Sequence, residues 1–250
     1  MEIFDAFCGV GPWAERDPLL PYRADQIIEL MDHFGIDRAL ARPNAGTLRG
    51  RAPTANRVLR EDIADHPRLI PAFCLAVHPY RDYPSPEDYA RSMREAGARA
   101  AWLTPQGNSG SGFSIWLVGE LLAMCAEHKV PVFVHSDTID AEVLHELCSE
   151  FPSLRLVLAS AGYRADRWLF PLLRKHSNLH VCLGHFYIPP GGPMRFLEHF
   201  SAERLLFGSG LPEFSPGGLI GHVMYGRMKD SEREMILSGN LKRLISEVEL

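Results

Sequence analysis

His135 is the side chain in this sequence best suited to chemistry near neutral pH. It closes the apolar run Pro131-Val-Phe-Val-His135, and an imidazole at the end of a strand can act as acid or base there. The competing reading is a histidine hydrogen-bonded into the wall of the fold. Glu213 offers a carboxylate as catalytic partner, against the plainer reading of an exposed loop acid. Arg42 and Asn44 follow the run Arg38-Ala-Leu-Ala, where a guanidinium can pair a substrate carboxylate through two parallel hydrogen bonds. His78, Ser160 and His185 end three further apolar runs and complete the expected substrate-binding set. A third arrangement gathers Cys8, His78, His135 and His185 as nitrogen and thiolate ligands of a metal. No Gly-x-Ser-x-Gly elbow stands near a base, which disfavours a serine acyl-enzyme.

These residues are useful only if the chain brings strand ends together. Short apolar runs begin near Ile3, Arg38, Leu69, Ala98, Pro131, Leu154, Leu179 and Arg204, eight in all. Amphipathic helical patterns lie between them, at 25–33, 56–65, 87–96, 115–128, 141–150 and 166–176. Ser85-Pro86-Glu87-Asp88 is a helix start, and Gly35 and Gly97 are helix stops. Eight alternating units predict an α/β fold of the (β/α)8 barrel type, a single domain over residues 1–250. The open doubly wound sheet is the alternative, but Gly9 and Gly11 lead to Trp13 and Ala14 rather than to a dinucleotide fingerprint.

In a barrel the chemistry gathers at the carboxyl ends of the strands. Around that mouth, Trp13, Trp102, Phe113 and Trp116 could wall an apolar pocket or pack against helices. The run from Gln106 to Gly112 is rich in glycine and serine and reads as a flexible loop or a lid.

The net charge of −5 gives no positive field for nucleic acid or anionic lipid. Neither a leader pattern nor a membrane-spanning run is evident, so a cytoplasmic location is expected. The 5 cysteines are widely spaced without a Cys-x-x-Cys pair and read as buried free thiols. A homo-oligomer is allowed, but no interface patch stands out.

Three ordered segments carry a family resemblance. They are GARAAWLTPQGN with HKVPVFVHSD, EFPSLRLVLASAG, and ERLLFGSGLPEF with GNLKRLI, and together they resemble the amidohydrolase-related metal-dependent hydrolases and decarboxylases. The resemblance implies a zinc-type centre held by the two histidines of Asp-x-His-x-His on the first strand, histidines on the fifth and sixth, and an aspartate after Gly-Ser on the eighth. Here Phe7, Gly9, Ser160 and Gly210 replace four of those five ligands and His135 alone remains. No metal or other cofactor is therefore expected. The expected function is hydrolysis or lyase chemistry on a small carboxylate-bearing molecule, with a catalytically silent small-molecule or protein-binding barrel as the alternative.

Overall fold

The computed structural model describes residues 1–12, 22–47, 52–76, 83–104, 112–162, 164–184 and 192–250. Eight parallel strands run in sequence order: β1 (Phe4–Val10), β2 (Arg38–Pro43), β3 (Leu69–Leu75), β4 (Ala100–Leu103), β5 (Val132–His135), β6 (Leu156–Ala159), β7 (Leu179–Cys182) and β8 (Leu205–Leu206). The chain beyond β8 returns to β1. Ala6 N donates to Phe207 O at 2.9 Å, Gly210 N to Phe7 O at 2.9 Å and Gly9 N to Leu211 O at 2.8 Å. These bonds join the first strand to the last and make the sheet a (β/α)8 barrel, as the alternating pattern predicts.

The helices form where their apolar stripes face this sheet. They are α1 (Ala24–Phe34), α2 (Ala52–Asp62), α3 (Pro86–Ala96), α4 (Ile115–Glu127), α5 (Ala141–Glu150), α6 (Asp166–Lys175), α7 (Gly192–Leu197), α8 (Gly217–Tyr225), α9 (Asp230–Glu234) and α10 (Asn240–Ser246). Ser85 caps α3 by accepting a hydrogen bond from Asp88 N, and Gly35 and Gly97 end α1 and α3 in left-handed conformation. α2 starts four residues earlier than its hydrophobic periodicity suggests. It brings Asn56 against β3, where the side-chain amide donates to Cys74 O and accepts from Cys74 N, both at 2.8 Å. The β2–β3 register ends at Pro71, so this side chain satisfies backbone groups the ladder leaves unpaired.

One irregularity sets the interior. The β1–β2 register shifts between Asp5 and Cys8. A bulge inserts one residue and reverses the faces that follow it. Phe4, Ala6 and then Phe7 accordingly join the cluster inside the barrel, whereas Cys8 and Val10 pack outward into the helix-facing core. Leu241 and Leu244 of α10 belong to the same interior cluster as Phe4. All five thiols are buried and free.

Close packing around the bulge leaves no room at Gly208. A Cβ there would stand 2.4 Å from Cys182 Sγ, 2.6 Å from Leu183 O and 2.9 Å from Phe7 Cβ. Gly208→Ala is expected to lower unfolding free energy by about 2 kcal/mol, through forced displacement of a packed core. Gly218, in α8 with no atom near its Cβ position, is the control: Gly218→Ala is expected to raise it by about 0.5 kcal/mol. Denaturant titration of the two variants measures both.

Candidate active site at the barrel mouth

The carboxyl end of each strand delivers one or two side chains to the mouth. Phe7 arrives from β1, Arg42 from β2, Trp102 from β4, His135 from β5 and Ser160 from just beyond β6. Because the bulge turns Phe7 inward, its ring is the centre of this group. It lies 5.1 Å from the Trp102 ring and 5.9 Å from His135, edge-on to the imidazole. Arg42 is 5% exposed and sets its guanidinium carbon 5.0 Å above Phe7 and 4.9 Å above Trp102. Trp102 in turn stacks on Phe133 at 5.2 Å. A buried guanidinium held on aromatic faces is both stabilised by them and fixed in place.

His135 remains partly open to solvent, with 29% of its side chain exposed. Its Nδ1 accepts from the Asp137 backbone N–H at 3.3 Å, which directs Nε2 to be the protonated nitrogen of the neutral ring. Burial holds the imidazole below its ordinary pKa. The Asp137 carboxylate, 3.7 Å away, pulls the other way, and the Arg42 charge adds to the lowering. The ring is therefore neutral at pH 7.

Asp5 sits beneath this group, fully buried. Its Oδ1 accepts from Phe7 N at 2.9 Å and from Ser209 N at 2.7 Å, while Oδ2 accepts the Ser209 hydroxyl. Burial outweighs these bonds and pushes the carboxyl up to about 6. Its three bonds tie β1 to the chain beyond β8 at the mouth.

Asn44 is fully buried and donates from its amide to Gly11 O at 2.8 Å. It occupies the space a side chain at Gly9 would need, since a Cβ there would lie 2.0 Å from Asn44 Oδ1. Glu213 is half-buried in the turn after the β8 extension, with one carboxylate oxygen inaccessible. Phe113 is buried, but Trp116 is 79% exposed. His78, His185, Trp13 and most of the Gln106–Gly112 segment lie outside the described residues.

The chemistry of these donors does not fit a metal. Phe7 is hydrocarbon, Gly9 and Gly210 have no side chain, and the Asp5 carboxylate is already engaged by three donors. Among the described residues no group of three His, Cys, Asp or Glu side chains could hold an ion. The ligand set built on Cys8 needs correcting for a separate reason. The bulge directs Cys8 away from the mouth, and burial, aided by Asp5, pushes its thiol well above the ordinary range.

Sequence reasoning missed the geometry of Ser160. It is buried with φ +58°, a left-handed conformation unusual for a residue with a side chain, and its carbonyl accepts the Ser136 hydroxyl at 2.5 Å. Its own hydroxyl has no partner among the described residues. The Ala159-Ser160-Ala161-Gly162 stretch carried no signal for this, because Ser lacks the intrinsic tolerance of glycine there.

The model of the amidohydrolase family matches residues 9–245. A comparison with curated proteins found no match. Among solved structures, an uncharacterised TIM-barrel protein of Bordetella bronchiseptica is 15% identical, with a TM-score of 0.74 and 99% of each chain covered. A dihydroxybenzoic acid decarboxylase of Polaromonas, solved with manganese and the inhibitor 2-nitroresorcinol, is 17% identical, with a TM-score of 0.69, over 98% of this chain and 97% of that one. A proposed 2-pyrone-4,6-dicarboxylic acid hydrolase of Pseudomonas putida is also 17% identical, with a TM-score of 0.69 and 98% of each chain covered.

Two predictions follow from the buried groups. A folded pKa raised from 3.8 to about 6 favours the protonated carboxyl, so the stabilisation is complete below pH 3.8 and is lost as pH rises through 6. Relative to Asp5→Asn, the wild type is expected to lose about 2 kcal/mol between pH 4 and pH 8, read from urea midpoints across that range. Ser160→Gly relieves a left-handed side-chain clash and is expected to gain about 1 kcal/mol in the same measurement.

Proposed function

Because this chain belongs to the amidohydrolase family, we propose that it acts at its barrel mouth on a small carboxylate-bearing molecule, and that it does so without the metal centre the resemblance implies. The observation that carries this reading is the Arg42 guanidinium, fixed over Phe7 and Trp102 and close enough to His135 to lower its pKa. A buried guanidinium is a permanent cation with a planar fork of donors, suited to a carboxylate. The aromatic floor beside it suits a flat, unsaturated ring. Two structural neighbours are named for substrates of this kind, a dihydroxybenzoic acid and a pyrone dicarboxylic acid.

His135 supplies the proton transfer. An imidazole that is neutral at pH 7 takes a proton from water, as hydrolysis requires. Lyase chemistry that protonates carbon needs the imidazolium, which burial and Arg42 both disfavour. Hydrolysis of an ester or lactone in a ring bearing a carboxylate is thus the favoured reaction. Glu213 and Ser160 complete the substrate contacts in this reading, with the His78 and His185 side chains as further binding groups. Asn44, engaged with Gly11 and packed on Gly9, shapes the wall. No described helix is long and apolar enough to cross a membrane. A cytoplasmic location and the absence of a nucleic-acid partner belong to the same proposal.

The test is turnover of a panel of pyrone and aromatic ring carboxylates and their esters, with and without a chelator. Activity is expected to persist in chelator and to fall by roughly 100-fold or more in His135→Ala. The acid limb of kcat/KM is expected below 6.5, the ordinary histidine value, because the folded pKa is lowered. Undiminished turnover in His135→Ala removes that residue from the mechanism. Carboxylate binding with no turnover of any panel member would instead identify a binding barrel.

A further inference from the structure

The indole of Trp102 presents a hydrogen-bond donor that no described residue uses. Trp102 is 3% exposed at the end of β4, and among the described residues its Nε1–H has no acceptor. Buried donors are costly to leave unmade, and native interiors hold few of them. Packing does not account for this one. The ring contacts to Phe133 at 5.2 Å and to Phe7 at 5.1 Å would be made equally by a phenylalanine, which carries no N–H to satisfy.

Its surroundings specify the missing acceptor. The Arg42 guanidinium lies 4.9 Å over the same indole, and a cation at that distance favours an acceptor oxygen that bears negative charge. The Phe7 ring connects that corner to His135 through contacts of 5.1 and 5.9 Å. A ligand oxygen beside Arg42 would thus lie next to the same Phe7 ring that His135 contacts edge-on.

We propose that Trp102 Nε1–H donates a hydrogen bond to an oxygen of the bound anion, making Trp102 a specificity-determining residue of the mouth. The inference rests on the carboxylate reading of Arg42 and adds to it a requirement for an acceptor in the plane of the indole. Trp102 selects ring carboxylates whose carboxyl or ortho oxygen reaches Nε1, over neutral analogues of the same shape. A ligand lacking that oxygen would leave the donor buried and unpaired, which is the larger part of the discrimination.

The experiment uses 15N-indole-labelled protein, which has 4 tryptophans. The Trp102 signal is identified by eliminating the others with Trp13→Phe, Trp116→Phe and Trp168→Phe, so its assignment needs no variant at position 102. With 2,6-dihydroxybenzoate as probe, the Trp102 indole proton is expected to move downfield on saturation. Calorimetry is expected to give about tenfold weaker binding to Trp102→Phe than to the wild type. Arg42→Met separates the two claims. Binding lost in Arg42→Met but unchanged in Trp102→Phe, with a stationary indole signal, overturns the Trp102 assignment and leaves the carboxylate reading standing. Binding equally strong in Arg42→Met and the wild type overturns the carboxylate reading itself, and absence of binding to the wild type overturns both.

Discussion

The mouth of this barrel depends on how β1 is held to the chain beyond β8. Asp5 receives the backbone N–H of Phe7, the backbone N–H of Ser209 and the Ser209 hydroxyl, so one buried carboxyl spans the seam where first and last strands meet. The adjoining backbone bonds, Ala6 to Phe207 and Gly210 to Phe7, run through the same few residues. Their effect is to fix the bulge, and the bulge decides which residues face inward. Without it Phe7 would face the helices and Cys8 the barrel. The aromatic floor, the support for Arg42 and the edge contact to His135 all follow from that single inserted residue.

The seam is closed by protein hydrogen bonds. In the pattern this family resembles, ligands on the first and eighth strands converge on a metal. At Gly9, Asn44 Oδ1 stands where a side chain would begin, and beside Gly208 the Phe7 Cβ and Cys182 Sγ leave no room for one. The permanent charge at the mouth is the Arg42 guanidinium, which stays cationic at any working pH.

The architecture was legible in the sequence because it rests on periodicity. All eight strand positions and six of the helices follow from apolar spacing, and Gly35, Gly97 and Ser85 act as the local rules require. α8 escaped notice because it opens on Gly217-Gly218, which read as a turn. Within the site, His135 and Arg42 were readable from their places at strand ends. Cys8 was misjudged because strict alternation assumes an unbroken ladder, and nothing in Asp5-Ala6-Phe7-Cys8 marks an extra residue. Trp102 could be placed near the mouth, but its unused N–H could not be seen, since satisfaction of a donor is a property of the whole interior.

The surroundings of His135 bear on proton transfer. His135 is desolvated, edge-on to Phe7, exposed to the Arg42 charge and oriented by the Asp137 backbone. Burial and the Arg42 charge favour the neutral ring against the opposing pull of the Asp137 carboxylate. By contrast Ser160 sits fully buried in strained backbone with an unused hydroxyl, a conformation that packing alone gives no reason to retain. Strain at Ser160, an unpaired donor at Trp102 and a tuned base at His135 are three costs borne on β4, β5 and the end of β6. Their concentration on adjacent strands is what a ligand-binding site, rather than an abandoned one, would impose on the fold.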